Sequence, residues 1–191
     1  MNTALHIEMP GWLGDLAEQN IVIEAAAERM AFVIDLARSN VVGGNGGPFA
    51  AAVFEAAGGR LVAAAVNCVV ACRCAIAHAE VLALALAQQR LGGFDLGACG
   101  LPAHELVASC EPCLMCQGAA LWSGVRRVVY GARDEDVRRI GFDEGPKHSA
   151  WRSELSARGI EVVGDVLRDE AVAVLREYAA AGGHIYNARQ G

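Results

Sequence analysis

Three side chains with metal-binding chemistry occur in two short stretches of the chain. His78 stands two residues before Glu80, and Cys113 and Cys116 stand three apart in the stretch CEPCLMC, residues 110–116. Two cysteines at this spacing, at the start of a helix, place both thiolates on one face of its first turn. One imidazole and two thiolates suit Zn²⁺, and three protein ligands with an open fourth position are typical of catalytic zinc. We therefore predict a catalytic zinc site formed by these three residues.

Glu80 and Cys110 lie beside the predicted ligands, and neither is predicted to bind the metal. On a helix, a residue two positions after His78 points away from the face of the histidine, which favours an acid–base role for Glu80. The pattern H-x-E followed by P-C-x-x-C is a signature of zinc deaminases that act on nucleobases. Cys110 would complete C-x-x-C-x-x-C. A fourth thiolate, however, would take the position that the attacking water needs.

The metal-binding stretches fall at the starts of two predicted helices, residues 78–90 and 113–123. Apolar periodicity predicts an earlier helix over 21–42, and a hairpin of two short apolar strands follows it. The remaining predicted elements alternate between strand and helix. The predicted strands cover 49–57, 61–66, 105–109, 127–130 and 160–163, and the later helices cover 134–139, 149–158 and 169–181. This order predicts a three-layer α/β/α sandwich with a mixed sheet.

Composition limits the classes of partner and compartment. The chain has 191 residues, a formal net charge of −6 and no basic run, so one domain over 1–191 is predicted and a nucleic-acid backbone is not a favoured partner. Seven cysteines, three of them within seven residues, indicate metal chemistry in a reducing compartment. Residues 1–10 lack the pattern of a signal peptide, and the longest apolar stretch, 69–87, contains charged residues. We predict a cytoplasmic protein without a membrane partner.

Further motifs carry a resemblance to a known family. The chain resembles the cytidine-deaminase-like superfamily and, within it, the bacterial guanine deaminases. The matching stretches are GGPFA at 46–50, Asn67, AHAE at 77–80 and SCEPCLMC at 109–116, with IGFDEGP at 140–146 and IYNAR at 185–189. The last two stretches resemble a branch that deaminates guanine and the triazine ammeline. The resemblance therefore implies hydrolysis of guanine to xanthine and ammonia by an enzyme with one zinc ion per subunit.

The resemblance also implies an architecture and an assembly. It implies a five-stranded central sheet with the metal at the N-termini of two helices. It further implies a homodimer in which the C-terminal segment is exchanged to help close the partner's pocket. We therefore expect an N-terminal arm, residues 1–20, and a C-terminal tail, residues 182–191, to pack on a partner subunit.

Two carboxylates are predicted to move protons in this chemistry. Glu80 is predicted to take a proton from the zinc-activated water and pass it to a ring nitrogen, N3 in guanine. Glu144 is the candidate second proton carrier, for the leaving ammonia, because it lies in a loop between glycines where functional side chains project. Its neighbour Asp143 is the rival for that role and is otherwise expected to contact the substrate.

Recognition of the heterocycle is assigned to four further residues. The amide of Asn67 can both donate to and accept from a purine edge. Phe49 is predicted to stack on the ring, and the backbone of Ala79 to contact the base. Trp122 is predicted to line the pocket.

Three alternatives remain open at this stage. A tRNA adenosine deaminase would share the fold and the zinc motif but requires a basic nucleic-acid groove. A cytosine or cytidine deaminase would use the same metal site. A non-catalytic zinc-stabilised binding module belongs to another class, and the presence of Glu80 without a fourth ligand argues against it. The choice between guanine and ammeline also stays open.

Overall fold

The computed structural model describes residues 5–17 and 19–188. The five strands are β1 Ala50–Glu55, β2 Leu61–Val66, β3 His104–Cys110, β4 Arg127–Ala132 and β5 Glu161–Val163. The helices of the described part are α1 Gly11–Ala17, α2 Ala26–Val42, α3 Val69–Cys72, α4 Ala79–Leu91, α5 Leu114–Ser123, α6 Asp134–Arg139, α7 Trp151–Ser156 and α8 Arg168–Ala180. Among the described residues, no helix is both long and apolar enough to cross a membrane.

The strands form one mixed sheet in the order β2-β1-β3-β4-β5. β1 pairs antiparallel with both β2 and β3, whereas β3, β4 and β5 run parallel to one another. The antiparallel hairpin needs only a tight turn, and each parallel neighbour is reached through a helical crossover. The predicted mixed five-stranded sheet is confirmed.

Helices cover both faces of this sheet. α4, with α5 beside it, covers one face, and α2, with α8 beside it, covers the other. Every residue of β3 is buried as a result, including the residues that alternate between the two faces. A strand covered on both faces is expected to be apolar throughout, and VAAAV-type sequences in the sheet follow that rule. The three-layer α/β/α prediction is confirmed.

The segment before α2 extends the edge of the sheet. The helix predicted to start at residue 21 begins at Ala26, because residues 21–23 instead pair with the start of β2. The carbonyl of Ile21 accepts from the Leu61 amide, and the Ile23 amide donates to Gly59, each over 2.9 Å. α1 also packs against β2 and buries Leu13. Within the single chain, α1 therefore lies on β2, while Glu8 and Met9 contact Cys72 and Cys68. Residues 1–4 and 18 lie outside the described residues.

A one-turn helix, α3, was not predicted and follows Asn67 directly. It ends at Cys72 and is followed by Arg73, whose backbone is left-handed with φ of 50°. The short helix reverses the chain between the end of β2 and the start of α4. It thereby returns the chain to His78 at the same end of the sheet.

Candidate metal centre and substrate cavity

The three predicted ligands meet where two helices begin. His78 is the N-cap residue of α4 and Cys113 is the N-cap residue of α5, while Cys116 lies in the first turn of α5. The Nδ1 atom of His78 lies 3.5 Å from Cys113 Sγ and 3.6 Å from Cys116 Sγ, and the two sulfurs are 3.4 Å apart. Local helix geometry brings the two thiols together, and packing of α5 against α4 adds the imidazole.

This geometry fits a tetrahedral zinc ion. Zinc bonds of ~2.3 Å to sulfur and ~2.0–2.1 Å to nitrogen place tetrahedral ligand atoms roughly 3.5–3.8 Å apart. The observed separations of 3.4–3.6 Å are close to those values. Among the described residues, His78, Cys113 and Cys116 are the only group of three such side chains that converges in this way. The donor set leaves a fourth position open.

Electrostatics favour the thiolate at the centre of the group. The hydrogen bond shared with the Cys116 thiol, assisted by His78, lowers the pKa of Cys113 to about 4 against the effect of burial. The N-terminus of α5 adds the positive end of a helix dipole, which also favours a thiolate. Zinc binds cysteine as the thiolate, so this environment prepares the ligand for the metal.

Cys110 lies next to the ligands but outside their group. It is the last residue of β3 and lines the cavity, with its sulfur 3.9 Å from Ser109 Oγ. Burial raises the pKa of Cys110 well above its usual range. The side chain therefore stays a neutral thiol, in contrast to Cys113.

Glu80 lies in the first turn of α4 and reaches the same cavity as His78. Its side chain is buried. Burial, and after it the negative charge of Cys113, raise the pKa of Glu80. A raised pKa favours the protonated form of the carboxyl group, which a general acid–base residue must hold during part of each turnover.

A cavity opens directly over the metal-binding group. It is a small cleft with both polar and apolar lining, as expected of a small-molecule site. The cavity brings together most of the predicted site residues and adds others that were not predicted. The lining consists of Phe49, Asn67, His78, Glu80, Cys110, Glu111, Cys113, Phe142, Asp143, Glu144 and Tyr186.

Aromatic rings form one wall of the cavity. Phe142 packs edge-on against Phe49, with ring centroids 5.1 Å apart, and against Tyr186 at 5.0 Å. Gly47 allows Tyr186 to approach, because a Cβ at position 47 would collide with the tyrosine hydroxyl. Phe142 and Tyr186 were not predicted as site residues. A signal for them existed, since both belong to the stretches that carry the guanine deaminase resemblance.

Asn67 is held in place by a second asparagine that sequence reasoning missed. Asn40, in α2, is fully buried and donates from Nδ2 to the carbonyls of Gly47 and Asn67, at 2.8 and 3.1 Å. Gly46 permits this contact, because a Cβ there would collide with the Asn67 carbonyl. Nothing in the local sequence marks Asn40, whose role follows only from the packing of α2 behind the loop.

The two neighbouring acidic residues of the loop at 141–146 face different surroundings. Glu144 is buried and lines the cavity, and burial raises its pKa to about 8 against the opposing effect of Lys147. Asp143 is half exposed, and its Oδ1 accepts from the Gly145 amide over 2.9 Å. Asp143 also borders the cavity, but its carboxylate closes the turn. The position of Glu144 suits a proton carrier better.

The described part of the C-terminal tail, residues 182–188, folds over the mouth of the cavity in the same chain. Asn187 accepts from the Asp143 amide and donates to the Gly141 carbonyl, each over 2.8 Å. The buried hydroxyl of Tyr186 has no hydrogen-bond partner among the described residues. The tail thus presents an unpaired polar group to the cavity. The last three residues of the predicted tail, 189–191, lie outside the described part.

Two other predicted contacts have different outcomes. The prediction that Trp122 lines the pocket is wrong, because its side chain is 83% exposed and does not border the cavity. Six residues after Cys116, it is turned by about 240° around the helix axis, away from the metal-binding face. Ala79 is buried between His78 and Glu80 at the start of α4, where its backbone lies beside the site.

Comparison with known proteins places this site in a family context. The model of the cytidine and deoxycytidylate deaminase zinc-binding region matches residues 17–132. The guanine deaminase of Bacillus subtilis is 38% identical over 111 residues, which span 58% of this chain and 67% of that protein. The solved structure of the guanine deaminase from Nitrosomonas europaea is 54% identical, with a TM-score of 0.92, and the match covers 94% of this chain and 98% of that one.

A further solved structure contains a bound purine. It is a complex with 2,6-diaminopurine, is 55% identical and has a TM-score of 0.93, with 99% of this chain and 100% of that chain covered. The shared fold therefore extends over the tail as well as over the metal-binding stretches.

Proposed function

The chain belongs to the cytidine and deoxycytidylate deaminase zinc-binding family, and from that membership we propose that it hydrolyses guanine to xanthine and ammonia. The observation that carries the proposal is the convergence of His78, Cys113 and Cys116 beside Glu80 at one cavity. The substrate assignment draws on the 54% identity to the guanine deaminase of Nitrosomonas europaea over 94% of this chain. The enzyme would thus be a zinc-dependent hydrolase of a C–N bond in a cyclic amidine, with a role in purine metabolism.

Glu80 would act first in the reaction. When bound by His78, Cys113 and Cys116, zinc supplies a Lewis acid that makes water nucleophilic near neutral pH. Glu80 accepts a proton from the attacking water and transfers it to N3 of the ring, so that C2 becomes tetrahedral. The burial of Glu80 in the cavity that His78 and Cys113 also line supports this role.

Glu144 would complete the reaction by protonating the leaving amine. With a pKa of about 8, its carboxyl group is largely protonated at neutral pH and can donate without an external acid. The C2–N bond then breaks and ammonia leaves. The C2 hydroxyl releases its proton, which restores the protonated form of Glu144, and the oxygen becomes the carbonyl of xanthine. Asp143, with an exposed carboxylate bound to the turn, is assigned to the cavity rim.

Recognition would use one amide and an aromatic wall. Phe49 presents an aromatic surface for stacking, worth ~1–3 kcal/mol for a base. Asn67 presents its amide from a position fixed by Asn40, and the backbone of Ala79 adds a contact beside Glu80. The unpaired hydroxyl of Tyr186 is available for a polar atom of the substrate. A small free base fits this closed arrangement, and a compact aminated triazine such as ammeline fits it as well.

The direct test measures ammonia release from a panel of aminated heterocycles. Wild-type protein is incubated with guanine, ammeline, adenine, cytosine and cytidine, with and without a zinc chelator. We expect guanine to be turned over fastest and the chelator to stop turnover. Release from cytosine or cytidine alone would replace the proposal with a pyrimidine deaminase, and no release from any base would favour a binding module.

The role of Glu80 has its own test. Glu80→Gln keeps the size of the side chain and removes its capacity to carry a proton. We expect kcat to fall by at least ~10²–10⁴-fold, the usual contribution of general acid–base catalysis, while the zinc content stays at one per chain. Near-normal turnover in the variant would refute the assignment.

We further propose a cytoplasmic homodimer that exchanges the C-terminal tail. The tail covers the cavity through contacts that an identical tail from a second copy could make equally well, and such exchange is an inexpensive route to dimers. The two glycines at 182–183 follow α8, where the chain changes direction. The described cysteines are all unpaired, in keeping with a reducing compartment.

Complementation tests the exchange. A Glu80→Gln chain retains an intact tail, and a Tyr186→Ala chain retains an intact floor of the site. If tails are exchanged, co-refolded mixtures contain heterodimers with one complete site and regain activity over either variant alone. Unchanged activity in the mixture, with light scattering showing dimers, would mean that each tail closes its own cavity.

A further inference from the structure

A buried lysine lies immediately behind Glu144. The side chain of Lys147 is only 7% exposed, although a lysine this deep in a protein is uncommon. Its Nζ atom lies 2.6 Å from Asp134 Oδ1, 3.3 Å from Glu111 Oε1 and 3.7 Å from Glu144 Oε2. It also donates to the carbonyl of Pro112 over 3.2 Å. Neither the metal chemistry nor the recognition of a base uses this residue.

The contacts of Lys147 join three separate parts of the site. Glu111 and Pro112 belong to the stretch that leads from β3 into the cysteine ligands, and Asp134 begins α6. Glu144 belongs to the loop that forms the cavity wall. One ammonium group therefore ties the acidic loop to the segment that carries the metal ligands.

Two other contacts add to the support that Lys147 gives the backbone of the loop, and neither of them reaches the Glu144 side chain. Arg138 donates to the Gly145 carbonyl over 2.7 Å, and the Leu114 amide donates to the Glu144 carbonyl over 3.3 Å. These bonds hold main-chain atoms. Among the described residues, Lys147 is the only cation with an ion-pair contact to the Glu144 carboxyl group.

The charge of Lys147 also opposes the other influences on Glu144. Burial, Cys113, Glu80 and Asp134 all raise the pKa of Glu144, whereas Lys147 lowers it. A proton carrier must exist in both states during each turnover.

We propose that Lys147 is a positioning residue for the deamination, which holds the Glu144 carboxyl group in the cavity. The inference rests on the proposed function. It assigns to Lys147 no contact with the substrate or the metal. Its effect on catalysis must therefore pass through Glu144.

A double-mutant cycle tests this dependence. Lys147→Met preserves the length of the side chain and removes the charge. We expect kcat for guanine to fall about 10- to 100-fold, a part of the ~10²–10⁴-fold that acid–base catalysis contributes, with KM and zinc content changed less than about threefold. In a Glu144→Gln background, Lys147→Met should cause no further loss, because the group it serves is already gone.

Two further variants separate positioning from stability. Arg152→Met is the matched control. Arg152 also pairs with Glu111, at 3.3 Å, but forms no ion pair with Glu144. The kcat of this variant should stay within about twofold of wild type. If Lys147→Met folds poorly because of its uncompensated carboxylates, Lys147→Met combined with Asp134→Asn restores the charge balance. The combined variant should fold with zinc bound and remain as slow as Lys147→Met.

A readout that needs no turnover separates this inference from the proposed function. Hydrogen exchange of the segment 141–147 should accelerate in Lys147→Met and not in Arg152→Met. If wild-type protein fails to deaminate guanine, the proposed function is wrong, and the exchange data still decide whether Lys147 anchors the loop. The inference is overturned by unchanged kcat and exchange in Lys147→Met, by losses that multiply in the Glu144→Gln background, or by recovery of kcat in the charge-balanced variant.

Discussion

Two clusters of charged side chains meet at helix α6, and they shift the pKa of their central carboxyl groups in opposite directions. The Asp136 cluster surrounds one carboxylate with donors: Arg168 binds both oxygens at 2.8 and 2.9 Å, Arg139 binds one at 3.0 Å, and the Arg133 amide binds the other at 2.9 Å. The Glu144 cluster places three carboxylates, of Glu144, Glu111 and Asp134, around the single ammonium of Lys147.

The pKa values of the two carboxyl groups shift in opposite directions. Hydrogen bonds from Arg168 lower the pKa of Asp136 to about 2, whereas burial raises the pKa of Glu144 to about 8. Several directed donors keep the Asp136 carboxylate charged, which stabilises the fold. Burial that the single ion pair with Lys147 does not offset leaves the Glu144 carboxyl group able to gain and lose a proton, as catalysis requires. The direction of the shift therefore separates a structural carboxylate from a catalytic candidate on the same side of the molecule.

The largest expected effect separates the two clusters by activity. Glu144→Gln should lower kcat for guanine by ~10²–10⁴-fold through loss of the proton donor, with little loss of stability. Asp136→Asn should leave kcat within about twofold in the fraction that remains folded. Steady-state ammonia release for both variants checks this. If Glu144→Gln keeps the wild-type kcat, Asp143 and not Glu144 is the second proton carrier. Asp143→Ala should then lower kcat.

The second effect separates the clusters by stability. Asp136→Asn replaces an acceptor of four hydrogen bonds by an amide whose NH₂ group faces the donors of Arg168. We expect the free energy of unfolding at pH 7 to fall by about 2 kcal/mol, the value of roughly two pKa units or of a lost charge-assisted bond. Denaturant unfolding of zinc-loaded protein measures the difference. If Asp136→Asn and Glu144→Gln lower the free energy of unfolding equally, the two clusters do not differ in their contribution to stability.

The same stabilisation should depend on pH in a defined direction. Because folding depresses the pKa of Asp136 to about 2, its contribution is complete above the unfolded value of ~3.9 and is lost as pH falls towards ~2. The difference in unfolding free energy between wild type and Asp136→Asn should therefore stay constant from neutral pH to about pH 5 and then shrink. Unfolding curves at a series of pH values test this. A difference that persists at pH 2 would show that packing, not charge, causes it.

The smallest effect is expected at the rim of the Asp136 cluster. The side chain of Arg139 is 63% exposed, so its ion pair with Asp136 is open to water and salt. Arg139→Met should cost at most ~1 kcal/mol, and the cost should decrease at high salt. Thermal unfolding at low and high ionic strength measures it. A larger loss of stability would mean that Arg139 stabilises the Asp136 carboxylate as strongly as Arg168 does.

Local spacing explains why the metal-binding group was predictable and why the charge clusters were not. Cys113 and Cys116 lie within one helical turn, and the motif pairs them with His78 and Glu80, so all four could be named from the sequence. Lys147 is separated from Glu111 by 36 residues along the chain, and its contact depends on how the loop folds back over β3. Asn40 and Asn67 are likewise joined only by the packing of α2.

The one wrong site prediction had a local cause. Trp122 was placed in the pocket because it follows Cys116 on the same helix, but six residues advance about 240° around a helix and reach the outer face. The late start of α2 has a non-local cause. Residues 21–23 have helical periodicity, and a strand pairing that no local pattern encodes overrides it.

That pairing has a consequence for how the protein avoids self-association. β2 is an edge strand, and an unpaired edge can add strands from other molecules. The bridge between Val22 and Arg60 occupies the start of this edge, and α1 lies across β2. A shortened protein that began at Ala26 would keep every residue of the site. It would nevertheless expose the main-chain groups of β2, and we expect it to aggregate through edge-to-edge strand addition.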